Sequence, residues 1–353
     1  MLFPYKFKWD KIRHVQSFVN YIMLEVILKS HNLNEPNLSS NVVINKYWTL
    51  IKGVNDDLLL NPLSELYDIC KHLDSKKRKM LKRAVLINNR IEGLCKGKYE
   101  PVRYNDLKTV FIDNDEEKKI PDLIKTFCNN LYDKCLERVE FKKGYGTLKA
   151  HYDSIVGNQS RCPACGIAQR LLTKHSKFRC AFDHYLPKGI YPFVSVNFFN
   201  LVPTCDNCNG KYKKEKDTIF FRTRRKAFPP YSQEPYDIQV SVVLHSSEFY
   251  NLSKSDIEMQ FSCTGRKDGV EYDYQEEVNN WRRIYEIDEQ YKSFCCSDTC
   301  LPYLSIIASG NIDNIRSMMQ MMENLNDYDS NFLKLAMLRG TMDRIRVEKY
   351  ILI

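Results

Sequence analysis

The sequence contains no run of about 18 consecutive apolar residues, so no membrane-spanning helix is expected. It also has no hydrophobic leader, because Lys6 brings charge almost at once after Met1-Leu2-Phe3-Pro4-Tyr5. Internal repeats and low-complexity tracts are absent as well. Together these absences point to a cytoplasmic protein. In that compartment the 13 cysteines are expected as reduced thiols or metal ligands, not as disulfides. Charge of one sign does not dominate: 53 Lys and Arg stand against 44 Asp and Glu, a net +9. Such a balance permits a polyanionic partner without requiring one. A hydrophobic fraction of 43% and an aromatic fraction of 12% suffice for real cores and exclude disorder of the whole chain. At 353 residues, more than one domain is expected.

Three textures follow one another along the chain. Residues 1–150 read as helical. Ile12, Val15, Phe18, Val19, Ile22 and Val26 recur at helical spacing, as do Leu123, Ile124, Phe127, Leu131, Cys135 and Leu136. The basic cluster from Lys76 to Arg83 reads plainly as a solvated helix face, or more sharply as a surface for phosphates. Residues 151–227 carry cysteine pairs, short apolar runs and a basic tail. Phe228-Pro229-Pro230-Tyr231-Ser232 then looks like a break between domains. In 228–353, Ile238, Val240, Val242 and Leu244 alternate, as do Ile257, Met259 and Phe261, which predicts two strands of a small antiparallel sheet. Beyond residue 275, Val278, Trp281, Ile284, Tyr285, Tyr291 and Phe294 form an apolar helical stripe. The predicted class is α+β: helical N-terminal region, central cysteine-rich module, C-terminal small sheet with helices.

Cys162-Pro163-Ala164-Cys165-Gly166 and Cys205-Asp206-Asn207-Cys208 are two C-x-x-C knuckles with 39 residues between them. Two-residue spacing lets both thiolates of a knuckle reach one ion, and two knuckles complete a tetrahedral shell. One structural Zn2+ per chain suits four thiolates and a closed site. Gly166 can take the positive φ that a tight knuckle needs. The alternatives are four unrelated buried cysteines, or a redox pair at Cys162 and Cys165, which lacks a surrounding βαβ pattern. Cys295, Cys296 and Cys300 read as helix packing, and Cys180 as a thiol buried beside the following strand.

Between and after the knuckles stand Phe182-Asp183-His184-Tyr185-Leu186-Pro187-Lys188, Phe199-Asn200-Leu201-Val202-Pro203-Thr204-Cys205 and Cys208-Asn209-Gly210-Lys211-Tyr212-Lys213. The series Asp-His, Asn-Leu-Val-Pro and Cys-Asn-x-Lys, framed by two C-x-x-C pairs, strongly resembles the HNH endonucleases with the ββα-metal fold. The resemblance covers about 55 residues. Residues of these types suit phosphodiester hydrolysis: a neutral His takes a proton from water, and Asp and Asn oxygens hold a hard cation. The resemblance implies that His184 is the general base and that Asn200 braces the loop orienting it. It also implies that Asp183 and Asn209 bind a catalytic Mg2+ or Mn2+. Lys211 or Lys213 would touch phosphate. Asp183 and His184 are neighbours, so on an extended strand they face opposite sides, and the strand must end or bend there. The competing class is a non-catalytic zinc-stabilised protein that binds nucleic acid or assembles with other proteins.

From 205 to 226 the basic residues exceed the acidic by five. Lys211, Lys213, Lys214, Arg222, Arg224 and Arg225 would follow a nucleic-acid backbone, which carries affinity but no sequence information. The resemblance favours DNA as substrate. The layout is similar to bacterial HNH effectors of mobile-element or antiphage-defence systems, some of which work with an ATPase partner.

Overall fold

The computed structural model describes residues 2–32, 37–38, 42–167, 171–232, 236–246, 248, 251–267, 269–300, 303, 312–325 and 330–351. The fold is α+β. Helices fill most of the first 156 residues, followed by a hairpin of β1 (Phe182–His184) and β2 (Leu201–Pro203), then a minimal hairpin of β3 (Phe220–Phe221) and β4 (Thr223–Arg224). A three-stranded antiparallel sheet comes next, in the order β5 (Tyr236–Leu244), β6 (Ile257–Lys267), β7 (Val270–Glu271). Among the described residues, no helix is long and apolar enough to cross a membrane.

The expected N-terminal stripes form as read. Val15–Tyr21 and Ile120–Asn130 are α-helices, each continued by a π-helical turn, and Phe18 and Phe127 meet in the core. The basic cluster lies on the helix Ser75–Asn88, capped by Asp74, whose carboxylate accepts from the Lys77 amide at 2.8 Å. Lys76, Lys79, Lys82 and Arg83 point to solvent there, while Lys77 turns inward to Asp113 and Glu117.

The alternation of Ile238, Val242 and Leu244 buries one face of β5 against the helix Asn331–Ile351. Gly340 of that helix permits the approach: a Cβ there would lie 2.3 Å from the Val242 carbonyl oxygen. The segment 228–232 departs from the expected exposed break. Phe228, Pro229, Pro230 and Tyr231 are buried, and the Tyr231 hydroxyl donates to the Leu201 carbonyl of β2 at 2.5 Å. Proline here makes a rigid packed strap, not a linker, because apolar neighbours cover both rings. The apolar stripe after 275 is also divided. Helices Gln275–Tyr285 and Ile287–Cys295 meet at Glu286, which sits in the left-handed region (φ 48°). That turn lets Tyr285 and Gln290 both face the cysteine-rich module.

Candidate active site

The zinc frame forms from the knuckles upward. Gly166 takes φ +70°, and its amide donates to the Cys162 carbonyl at 2.8 Å, closing the first knuckle as its sequence implies. The Sγ atoms of Cys162, Cys165, Cys205 and Cys208 all lie within 4.8 Å of one another, and all four residues are buried. A tetrahedron with Zn–S bonds of about 2.3 Å has sulfur–sulfur edges of about 3.8 Å, so a small contraction would complete it. The surroundings suit thiolates: the Cys205 amide donates to Cys162 Sγ at 3.4 Å and Gln290 Nε2 to Cys208 Sγ at 3.6 Å. Burial pushes the Cys162 and Cys208 thiols up, while hydrogen bonds from the other three hold Cys205 well below its usual value. The four thiols are therefore placed to hold a metal ion such as zinc. Trp281 Nε1 donates to the Ala164 carbonyl at 2.8 Å and the Tyr291 hydroxyl to the Cys165 carbonyl at 2.9 Å, so the C-terminal helices brace the first knuckle. Among the described residues this is the one group of three or more metal-donor side chains; Cys295 and Cys300 pack on each other. Cys180 is buried two residues before β1.

The second knuckle leads into a short helix, Asn207–Lys213, that winds with π spacing: the Lys214 amide donates to the Asn209 carbonyl, five residues back, at 2.8 Å. β1, β2 and this helix form a ββα unit. Antiparallel pairing sets Asp183 opposite Val202 and His184 opposite Leu201.

β1 ends at His184, and its last two side chains do face opposite ways. Asp183 is 1% exposed; its Oδ1 accepts from Lys213 Nζ at 2.7 Å and its Oδ2 from the Tyr285 hydroxyl at 3.2 Å. His184 turns toward the N-terminal helices, its ring edge-on to Tyr132 at 4.3 Å, and its Nε2 lies 2.9 Å from the Ser195 carbonyl oxygen. A carbonyl only accepts, so Nε2 carries the proton and Nδ1 holds the lone pair. Burial pushes the imidazolium down to about 3, helped by Lys188 and Lys213 and opposed by the Ser195 carbonyl. The ring is thus neutral at neutral pH, with Nδ1 as its basic atom. Ser195 is itself fixed, donating to the Cys128 carbonyl at 2.9 Å.

Asn200 is fully buried and clasps Leu186: its Oδ1 accepts from the Leu186 amide at 2.7 Å and its Nδ2 donates to the Leu186 carbonyl at 2.9 Å. That clamp holds the backbone two residues past His184. Asn209 is half-buried, with Nδ2 3.5 Å from the Phe182 carbonyl oxygen.

The donors fit a hard cation in kind, since a cation already stands there. The Lys213 ammonium lies 2.7 Å from Asp183 Oδ1 and 2.7 Å from the His184 carbonyl oxygen. A divalent ion drawing on the same carboxylate would compete with it. This also corrects the reading of Lys213 as part of a solvent-facing basic stripe: it is 1% exposed. The π winding turns residue 213 inward from the helix that starts at the knuckle. Arg224 likewise leaves the stripe, donating to the carbonyls of Ile219 at 2.7 Å and Arg225 at 2.6 Å. Lys211, Lys214 and Arg222 are exposed and Arg225 is half-buried. Tyr132, Ser195 and Tyr285 were not singled out by sequence reasoning. Each lies in an ordinary apolar stripe or loop with no spacing signal to mark it.

No protein-family profile matches the chain, and no solved structure matches it. It is 43% identical over 47 residues to the Septu protein PtuB of Bacillus thuringiensis, a stretch covering 13% of this chain and 18% of that one. It is 36% identical over 100 residues to protein ea31 of Escherichia phage lambda, covering 28% of this chain and 26% of that protein.

Proposed function

We propose that the chain is a metal-dependent endonuclease of the HNH type, hydrolysing phosphodiester bonds of nucleic acid, with DNA as its substrate. The observation carrying this reading is a neutral imidazole, fixed by Ser195 with Nδ1 as its acceptor, next to a buried carboxylate on a ββα unit anchored by four cysteines. In this reading Asp183 and Asn209 hold Mg2+ or Mn2+, which when bound supplies charge neutralisation at the phosphate. His184 Nδ1 accepts the proton of the attacking water. Tyr132 fixes the ring plane, and Asn200 fixes the turn that follows it. Exposed Lys211, Lys214 and Arg222 meet backbone phosphates. The zinc frame carries folding and no chemistry.

A role in the conflict between bacteria and phages, with an ATPase or another defence-system protein as partner, rests on likeness to a Septu protein and to a phage protein. The Lys213–Asp183 ion pair favours a second reading. A carboxylate already neutralised needs no metal, as in a non-catalytic scaffold. Incubating supercoiled plasmid with the wild type and with His184→Ala, across a Mg2+ and Mn2+ titration, separates the two. Metal-dependent nicking by the wild type alone supports the nuclease, and no nicking at any metal concentration overturns it.

A further inference from the structure

A cleft of about 620 Å³ opens outside the hairpin and the zinc frame, lined in part by Phe7, Trp9, Arg90, Lys98, Tyr99 and Phe199. Its aromatic wall is exposed where a monomer has reason to cover it: Trp9 is 66% and Phe199 38% open to solvent. Phe7 stacks on Phe199 with ring centres 3.9 Å apart, and Trp9 stands edge-on to both, at 5.2 and 5.7 Å. Cations rim these rings. The Arg13 guanidinium lies 4.5 Å from the Trp9 ring centre, and that of Arg90 lies 4.9 Å from the Tyr99 ring and donates to its hydroxyl at 2.7 Å. Lys98 is exposed on the same rim. The acidic side chain in the cleft, Glu92, is held by Lys96 at 2.6 Å, so the rim remains positive.

We propose that this cleft binds an unpaired nucleotide of a nucleic-acid strand, its base against the Trp9 and Phe199 rings and its phosphate between Arg90 and Lys98. Open ring faces ringed by cations are what a single strand needs, because every base offers a π-face and each linkage a negative charge. A peptide groove would instead need unpaired backbone donors or an apolar rim. The cleft also connects to the candidate active site. Phe199 precedes Asn200, whose side chain clasps Leu186 beyond His184, so a strand held at Phe199 is anchored on the loop that orients the base. The inference rests on the nuclease reading and narrows its substrate to nucleic acid with an unpaired stretch.

The test uses the full chain carrying His184→Ala to suppress cutting. Binding of a 12-nucleotide oligothymidylate, its duplex with oligoadenylate, and free thymidine monophosphate is followed by fluorescence anisotropy or competition. Trp9→Ala on that background should weaken single-strand binding by about fivefold to more than a hundredfold, the range of one lost base stack. Duplex affinity should change by less than about twofold. Arg90→Ala, a second variant at an exposed site, should lower the single-strand salt slope by about 0.7. Unchanged single-strand affinity in Trp9→Ala with duplex binding intact overturns the stacking site and leaves the nuclease reading standing. Equal, Trp9-dependent binding of the free mononucleotide overturns the strand as occupant in favour of a free nucleotide. Failure to bind any nucleic acid overturns the nuclease reading as well.

Discussion

Replacing His184 by Ala removes the one nitrogen positioned to take a proton, whereas replacing Asp183 or Asn209 by Ala removes oxygen donors. On the proposed roles, excess Mg2+ or Mn2+ partly restores cleavage by Asp183→Ala and Asn209→Ala but never by His184→Ala. Cleavage rates across a metal titration decide this, and equal rescue of all three would show that the roles are misassigned. Lys213 gives a sharper test of the same carboxylate. Lys213→Met keeps the aliphatic volume but strands a buried anion, which typically costs about 3–5 kcal/mol. Melting in chelator should therefore fall clearly below wild type, and Mg2+ should raise the variant's melting temperature more than the wild type's. If Mg2+ shifts both equally, Asp183 is not a metal ligand. The Asp-His pair was legible in the sequence because its residue types imply the chemistry. The neighbours that set its state were not. Tyr132, Ser195 and Tyr285 reach it from sites 52 residues before, 11 after and 102 after their partners, distances that no local spacing encodes.

Among the elements, the two knuckles form the most self-sufficient unit. Binding energy at a four-thiolate site is largely folding energy, about 10–16 kcal/mol in isolated zinc modules. Cys165→Ser or Cys208→Ser should accordingly yield insoluble or unfolded protein, and metal analysis of the wild type should find about one Zn2+ per chain. Zinc-free protein of unchanged stability would refute the frame. The helix Asn331–Ile351 offers a test in which two effects oppose each other. Inside a helix, Gly→Ala normally gains about 1 kcal/mol. At Gly340 the new methyl meets a strand carbonyl 2.3 Å away, which cannot swing aside as a side chain would. Overpacking costs about 1–3 kcal/mol, so Gly340→Ala should lower the melting temperature. A rise would show that the helix slides freely on β5. The strands of this sheet were readable from alternation, because one face is buried. The break at Glu286 was not, since the apolar stripe continues across it and only the docking of Tyr285 and Gln290 requires the turn.

For the whole molecule, the basic stretch after the second knuckle divides into two groups that behave differently. Lys211, Lys214 and Arg222 face solvent. Changing all three to Ala should lower the slope of log binding constant against log salt by up to about 2 to 3 on duplex DNA, at about 0.9 per contact. Arg224→Ala should leave the slope unchanged and reduce stability, because its guanidinium ties together the Ile219, Arg225 and Leu94 carbonyls. Binding measured at several salt concentrations in the His184→Ala background, beside thermal melts, separates the two. A slope unmoved by the triple change would shift the substrate path elsewhere, with the exposed face of Ser75–Asn88 as the next surface to test.

The sequence by itself determined the features that depend on residue type at short spacing: the four-cysteine frame, the positive φ at Gly166, the end of β1 at His184, the helical stripes and the alternating strands. Each follows from neighbours a few residues apart, whose geometry the backbone dictates. Only the tertiary structure decided which charges remain in water and which are consumed. Lys213 and Arg224 read as surface cations by their type and company. They are drawn inward because a buried carboxylate and a set of buried carbonyls, supplied by distant segments, need donors more than a polyanion does. The same holds for residues 228–232, where proline and aromatic rings suggested a linker. They pack against the hairpin because Leu201 offers Tyr231 an acceptor within the core, a partner 30 residues away that no local reading of the chain provides.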